Sequence, residues 1–336
     1  MKQTAILILN WNGRKLLERF LPSLLMHVPV ENVDIIVVDN GSTDDSLKFL
    51  HLYYPTLIVR VLGENYGFAE GYNRVLLNLD YEFIVLLNSD VEVGENWFCP
   101  AINYLETHKD VVALQPKILS FTDKSLFEYA GASGGFLDKY GYPFCRGRIF
   151  CMIEKDEGQY DNPIQIFWAS GACLFIRLED FKMVGGFDSA FFVHQEEIDL
   201  CWRLNLLGKK IICLPCLRVY HVGGATLDRE HPQKIYLNFR NNLLMLYKNL
   251  PDISYDRVMV IRFFLDYLFA LCYLLKGRFR NAFAIWKARL DFRRLKKQHR
   301  VLRSENREVL PTIFRGCIVW QYYFRGKKKW NSLNIS

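Results

Sequence analysis

The chain has 336 residues, 51 % of them apolar and 24 % charged, with a net charge of +7. That apolar share supplies a full core and excludes a chain that stays disordered. Nine cysteines, an odd number, argue against a disulfide framework and against a zinc ribbon.

Residues 4–9 form a short, continuous apolar run that ends in Asn10, Trp11, Asn12 and Gly13. Unbroken rather than alternating apolarity fits a strand buried on both faces, as in a parallel sheet. The run is too short for a secretory signal and is needed as the first strand. Residues 14–26 carry helical spacing in Leu16, Leu17, Phe20, Leu21, Leu24 and Leu25. A second buried strand, residues 34–38, ends in Asp39-Asn40-Gly41-Ser42-Thr43-Asp44, turn and cap chemistry for a helix over 45–53. Residues 57–62 read as a third strand, followed by a loop with Gly63, Gly67 and Gly71 and a helix from about Glu70. Residues 81–87 read as a fourth strand, ending in Asn88-Ser89-Asp90.

Strands alternating with helices predict an α/β fold with a parallel sheet. Ligands of such sheets sit at the carboxyl ends of the strands, where Asp39 and Asp90 fall. Either aspartate alone would serve as a turn former; both at strand ends of one sheet point to a ligand. Opposite a diphosphate, Asp90 would be a hard oxygen ligand suited to Mg²⁺ or Mn²⁺.

Further on, Glu196, Glu197 and Asp199 follow an aromatic stretch that includes Phe187, Phe191 and Phe192. A helix beginning among these residues places Glu196 and Glu197 near its N-terminus, where the macrodipole favours negative charge. Such a carboxylate can serve as a general base, or simply as acidic capping. Asp199 and Arg203, four apart, are placed to pair. Cys173 and Cys201 sit among apolar neighbours and read as small core residues rather than nucleophiles.

The C-terminal part is different in kind. Residues 276–336 hold 17 lysines and arginines against three acidic residues, a net +14, which leaves −7 for residues 1–275. Residues 258–275 are strongly apolar but carry Arg262 and Asp266, which makes spanning a membrane costly. Arg278, Arg280, Lys287, Arg289, Arg293, Arg294, Lys296 and Lys297 then alternate with Phe279, Phe283, Ile285, Trp286, Leu290 and Phe292. That mixture fits a helix on an anionic membrane surface, or a solvated hairpin packed on the preceding domain. Nothing here resembles a nucleic-acid-binding module.

The ordered set of motifs resembles family 2 glycosyltransferases of the GT-A fold, in particular the bacterial rhamnosyltransferase-like branch. The matching pieces are Ile8 to Gly13, Val37 to Asp44, Asn65 to Asn73, Leu86 to Asp90, Trp168 to Cys173, Gly185 to Asp188, Glu196 to Arg203 and Val219 to Gly224. The resemblance implies a Rossmann-like, mixed, mainly parallel sheet with flanking helices over residues 1–250. Residues 251–336 would add a basic, aromatic-rich helical extension. It also implies roles. Asp39 would hydrogen-bond the base of a nucleotide-sugar donor and Asn10 would line the same pocket. Asn65, Gly67 and Asn73 would shape the ribose and diphosphate side, together with Asn88. Asp90, with His221, would hold Mg²⁺ or Mn²⁺; Asn88 stands where the motif usually has a first aspartate. Trp168, Gly171, Ala172 and Asp188 would line the sugar and acceptor pocket. Glu197 aligns with the catalytic base, usually aspartate, and Glu196 remains an alternative.

The implied reaction is inverting transfer from dTDP-rhamnose or a UDP-sugar to a glycan or lipid-linked acceptor. It would serve surface polysaccharide synthesis at the inner face of a bacterial cytoplasmic membrane, with the enzyme cytoplasmic and peripheral. A non-catalytic nucleotide-sugar-binding member is the first alternative. A sugar nucleotidyltransferase fits less well, because the loop Asn10 to Arg14 lacks its basic, glycine-rich character.

Overall fold

The computed structural model describes residues 3–29, 31–223, 230–298, 310–333 and 335. Gly224, at the end of one quoted motif, lies outside them.

The strands are β1 (Thr4–Asn10), β2 (Val33–Asn40), β3 (Ile58–Leu62), β4 (Phe83–Leu87), β5 (Val91–Val93), β6 (Val111–Ser120), β7 (Gly135–Asp138), β8 (Pro143–Cys145), β9 (Arg148–Ile149), β10 (Met152–Ile153), β11 (Ile164–Gln165), β12 (Cys173–Arg177), β13 (Lys210–His221) and β14 (Ile313–Phe314). The helices are α1 (Arg14–Met26), α2 (Ser46–Tyr53), α3 (Gly67–Leu76), α4 (Cys99–Thr107), α5 (Leu178–Met183), α6 (Glu196–Leu206), α7 (Pro232–Asn249), α8 (Asp252–Leu275), α9 (Phe279–Gln298) and α10 (Ile318–Tyr323).

The main sheet has the order β11-β13-β6-β12-β4-β1-β2-β3, with β5 against β13. Strands β3, β2, β1 and β4 are parallel, as are β13 and β6, while β12 runs antiparallel between the two groups. The sheet is therefore mixed and mainly parallel, as expected. The unbroken apolar runs have their cause in burial on both faces. In β1, Ala5 and Leu7 enter one core layer, while Ile6 and Ile8 enter the other with Leu17, Leu21 and Leu24 of α1.

Register builds the functional edge. Asn10 pairs with Asp39 at the ends of β1 and β2. Antiparallel β12 brings Ala172 beside Asn88, whose backbone N–H donates to the Ala172 carbonyl at 3.0 Å. Long β13 shifts register between Leu214 and Arg218, then carries His221 opposite Val91, one residue past Asp90. Helix α3 starts at Gly67, not at Glu70. Its first free N–H groups, on Phe68 and Ala69, donate to the carbonyl of Phe192, an acceptor that comes from across the fold.

A smaller sheet, β10-β9-β8-β7-β14, closes beneath the C-terminal residues. Strand β14 pairs in parallel with β7, and the Trp330 ring packs on Phe136 and Phe144. Ile318, Tyr322, Trp330 and Leu333 thus share one core with residues of the first 250. In α9, Ile285, Arg289 and Phe292 turn inward, so the basic and aromatic residues there divide between two faces. Cys213 and Cys216 on β13 stand at Cys-x-x-Cys spacing, one buried and one exposed, and both are free thiols. Cys173 and Cys201 are buried, and burial pushes the Cys201 thiol up to about 12.

Candidate active site

Four groups of residues make up the candidate site, three at or just past the carboxyl ends of strands and one in the first turn of α6. The first surrounds Asp39, which is fully buried. Its Oδ1 accepts from Asn10 Nδ2 at 3.1 Å and its Oδ2 from the Ser42 N–H at 3.0 Å. The loop after β2 is also tied to the loop after β1: Asn12 Oδ1 accepts from the Thr43 N–H at 2.7 Å. Asn10 Oδ1 is buried without a hydrogen-bond partner among the described residues.

Asn40 organises the second group. Its side chain donates to Asn65 Oδ1 and to the Gly67 carbonyl, and accepts from the Tyr66 N–H. Asn65 Oδ1 accepts in turn from the Gly67 N–H at 2.9 Å. Gly67 has φ +77°, and a Cβ there would lie 2.6 Å from the Phe192 ring and carbonyl. Only glycine meets both constraints. Asn73 is committed elsewhere: its amide donates to the Phe187 carbonyl at 2.7 Å and accepts from the Phe187 N–H at 3.0 Å.

The third group is Asp90 with His221. Asp90 Oδ1 lies 3.1 Å from His221 Nε2, and Glu128 Oε2 lies 3.4 Å from Nδ1 on the other side of the ring, without a well-aligned hydrogen bond. Burial opposes charge on His221, but the two carboxylates outweigh it and push the imidazole up to about 10. Burial likewise raises Glu128, and His221 and the Ala130 N–H reverse that and hold it below the usual carboxylate range. Among the described residues no three metal-ligating side chains converge. A carboxylate oxygen and an imidazole nitrogen, backed by a second carboxylate, nevertheless suit Mn²⁺ or Mg²⁺ when diphosphate oxygens and water complete the shell.

The fourth group carries Glu196 and Glu197 in the first turn of α6, as the sequence predicted. Phe192, His194 and Gln195, just before them, have φ of +62°, +72° and +74°. Such conformations cost about 1–3 kcal/mol each in non-glycine residues and persist only when the surroundings impose them. Here α7 imposes them. Asn241 Nδ2 donates to the carbonyls of Phe191, Val193 and His194 at 2.8, 2.9 and 2.7 Å. Arg240 donates to the carbonyls of Ala190 and Phe191. Asn242 and Asn238 hold the two ends of the Gln195 amide at 3.1 and 3.2 Å. Behind the turn, Asp199 receives Arg203, Lys248 and Asn249 at 2.8–2.9 Å.

One oxygen of each glutamate, Oε2, is buried without a hydrogen-bond partner among the described residues. Burial pushes Glu197 up to about 7, against backbone N–H bonds that favour its charge. Burial and the Glu197 charge together hold Glu196 well above the usual range. Burial thus favours the protonated form of both carboxyls, and a carboxyl raised toward neutral pH suits general acid–base work.

Trp168 is buried and donates from Nε1 to the Phe136 carbonyl. Gly171 lies against Phe68. Asp188 caps the turn over Ser189–Phe191 and pairs with Lys248 at 2.6 Å. The Asp90–His221 pair and the Glu196–Glu197 pair share no hydrogen bond or ion pair among the described residues. Sequence reasoning missed Glu128 and the α7 ladder. Asn238, Asn241 and Asn242, at i, i+3 and i+4, carry a signal in their spacing; Glu128 carries none.

The model of Glycosyl transferase family 2 matches residues 5–181, more than half of the chain. The chain belongs to that family. Its relatives include the N-acetylglucosaminyl-diphospho-decaprenol L-rhamnosyltransferase of Mycobacterium tuberculosis, 26 % identical over 246 residues, covering 68 % of this chain and 79 % of the relative. Rhamnosyltransferase WbbL of Escherichia coli K12 is 29 % identical over 202 residues, covering 57 % and 73 %. Among solved structures, GalNAc-T7 with UDP, GalNAc and Mn²⁺ superposes with a TM-score of 0.59 at 16 % identity, over 74 % of this chain and 48 % of that one. The mannosyltransferase PcManGT from Pyrobaculum calidifontis, with GDP-Man and Mn²⁺, gives 0.53 at 14 %, over 89 % and 79 %. The fold is GT-A, and this family 2 member is a glycosyltransferase.

Proposed function

We propose that this glycosyltransferase transfers a sugar, from dTDP-rhamnose or a UDP-sugar, to a hydroxyl of a glycan or lipid-linked acceptor, with inversion. The observation that carries the reading is the Glu196–Glu197 pair, fixed in a strained turn with Glu197 poised near neutral pH. Glu197 is the base. Its carboxylate takes the proton of the acceptor hydroxyl as that oxygen bonds to the anomeric carbon. The bond from that carbon to the diphosphate breaks in the same displacement, and the nucleoside diphosphate leaves. Burial disfavours charge on Glu196, which limits repulsion of the base beside it.

Asn10, Asp39, Asn65, Gly67, Asn73 and Asn88 form the nucleotide side. Asp39 faces the base, and Asn10 Oδ1, a buried acceptor without a partner among the described residues, lines the same pocket. Asn65 and Gly67 shape the diphosphate wall, and Asn73 acts through Phe187. Asp90 and His221 would hold Mg²⁺ or Mn²⁺, with Glu128 orienting the imidazole. Such an ion, when bound, offsets charge on the leaving diphosphate. Trp168, Gly171, Ala172 and Asp188 bound the sugar and acceptor side.

The rhamnosyltransferase relatives support a place in bacterial surface polysaccharide synthesis, and the name of one relative contains a diphospho-decaprenol. A lipid-linked acceptor places the enzyme at the inner face of the cytoplasmic membrane, bound peripherally. The test is the anomeric configuration of the product, read by NMR against that of the donor. Inversion is expected; retention would overturn the direct displacement.

A further inference from the structure

The exposed side of the C-terminal helices has a composition that soluble surfaces avoid. From Val260 to Leu275, every exposed side chain of α8 is apolar or cysteine: Val260, Phe263, Phe264, Leu268, Leu271, Cys272, Leu274 and Leu275. Contiguous apolar faces of this kind mark interaction sites. Lys276, Phe279, Arg280, Phe283, Trp286 and Lys287 continue the exposed surface into α9. There an open groove of about 400 Å³, lined by Tyr236, Phe279, Arg280, Phe283 and Lys287, separates it from α7. Helix α10 adds exposed Trp320, Tyr323 and Phe324, joined to α8 by the Phe269–Tyr323 ring contact.

By length and apolarity α8 could cross a membrane. Its other face forbids that. Arg262 and Asp266 are buried and pair at 3.1 Å. Asp266 also receives Arg289 at 2.6 Å and the Tyr142 hydroxyl at 3.1 Å. Arg262 donates to the Tyr140 carbonyl at 2.9 Å and to Asn242. A spanning α8 would have to break this network and carry both charges into lipid.

We propose that α8 lies in the plane of the membrane, half submerged, with α9 and α10 as its basic and aromatic rim. The occupant of this face is the anionic inner leaflet. Aromatic rings settle at headgroup depth, and exposed cations such as Arg280 and Lys287 match the phosphates. The inference deepens the peripheral membrane reading above: it names the face, its orientation and the reason it does not span. The same Arg262–Asn242–Gln195 chain ties the lipid-facing layer to the catalytic turn, so docking sets the height of Glu197 over the bilayer.

The test is flotation of the full chain with phosphatidylcholine vesicles, with and without phosphatidylglycerol. Wild type is expected to float with the anionic vesicles and to be released by alkaline carbonate. Phe264→Glu with Leu268→Glu should lower partitioning by more than about tenfold. Arg280→Glu with Lys287→Glu should lower it by roughly fivefold per cation removed and abolish the preference for phosphatidylglycerol. Nucleotide-sugar binding, measured by calorimetry on the same preparations, should stay unchanged. Loss of that binding in wild type would instead count against the transferase reading. Wild type remaining soluble beside anionic vesicles would overturn the proposal, as would resistance to carbonate, which means spanning. A lipid-free dimer that Phe264→Glu with Leu268→Glu dissociates would also overturn it and give the face to a second copy.

Discussion

Asn241 and Phe191 are joined by a 2.8 Å hydrogen bond, from the Asn241 amide to the Phe191 carbonyl, and the same nitrogen reaches the carbonyls of Val193 and His194. One buried amide therefore holds the backbone that aims Glu196 and Glu197. Asn241→Ala leaves these carbonyls without their donor, at a cost of about 1–3 kcal/mol in stability. Misplacing the proposed base is expected to lower kcat by roughly 10²-fold while donor binding persists. Asn241→Asp, which sets an acceptor against three acceptors, should be worse than alanine. Urea denaturation and steady-state kinetics on both variants check this; equal kcat in Asn241→Ala would refute it.

Gly67 and Gly63 make a matched pair. Gly67→Ala drives a Cβ into Phe192 at a left-handed φ, whereas a Cβ at Gly63 meets nothing within 4 Å. Gly67→Ala should cost upwards of about 2 kcal/mol and most of the activity, and Gly63→Ala neither. Thermal unfolding of the two variants side by side decides it.

The glutamates should separate by charge. Burial and the Glu197 charge disfavour charge on Glu196, so Glu196→Gln, which keeps the shape without a charge, should keep most of the activity. Glu197→Gln removes the proposed base and should lower kcat by about 10²- to 10⁴-fold. In wild type, kcat should rise with pH along a limb near 7, where Glu197 ionises. A pH–rate profile for each variant tests this; a limb near 4 would contradict it.

Stability carries the opposite sign. The folded value of Glu197, about 7, exceeds its ordinary 4.5, so the folded state holds that proton more tightly. Its contribution is present at low pH and is lost as pH rises from about 4.5 through 7. Glu197→Gln should therefore gain Tm relative to wild type between pH 5 and about pH 8. A constant difference in Tm across that range would show that the carboxyl is not perturbed.

Glu128 should matter to metal without touching it. Glu128→Gln is expected to weaken Mn²⁺ binding by about 10–100-fold, read by the EPR signal of free Mn²⁺ in the presence of a nucleoside diphosphate. Asp90→Asn should abolish it, and unchanged binding in both variants would remove the metal from this site.

Much of this was legible in the sequence because it is local. Continuous apolar runs mark strands buried on both faces, and strand ends carry Asp39 and Asp90 to one edge. The Asp199–Arg203 pair follows from helical spacing. What stayed hidden depends on partners distant in sequence. The start of α3 is set by the Phe192 carbonyl. The strained turn is held by Asn241, 47 to 50 residues from the carbonyls it bonds. Asn73 serves Phe187, more than a hundred residues on, which no local pattern announces. Arg262 and Asp266 looked like interruptions of an apolar helix and are its anchor.

The most direct measurement is donor binding and turnover across UDP-, dTDP- and GDP-sugars, with and without Mn²⁺, on wild type and Glu197→Gln. The expected result is one donor consumed in a metal-dependent reaction that collapses in Glu197→Gln while its binding persists. Absence of binding to every donor, or full turnover by Glu197→Gln, would contradict the assignment of Glu197 as the base of a nucleotide-sugar transferase.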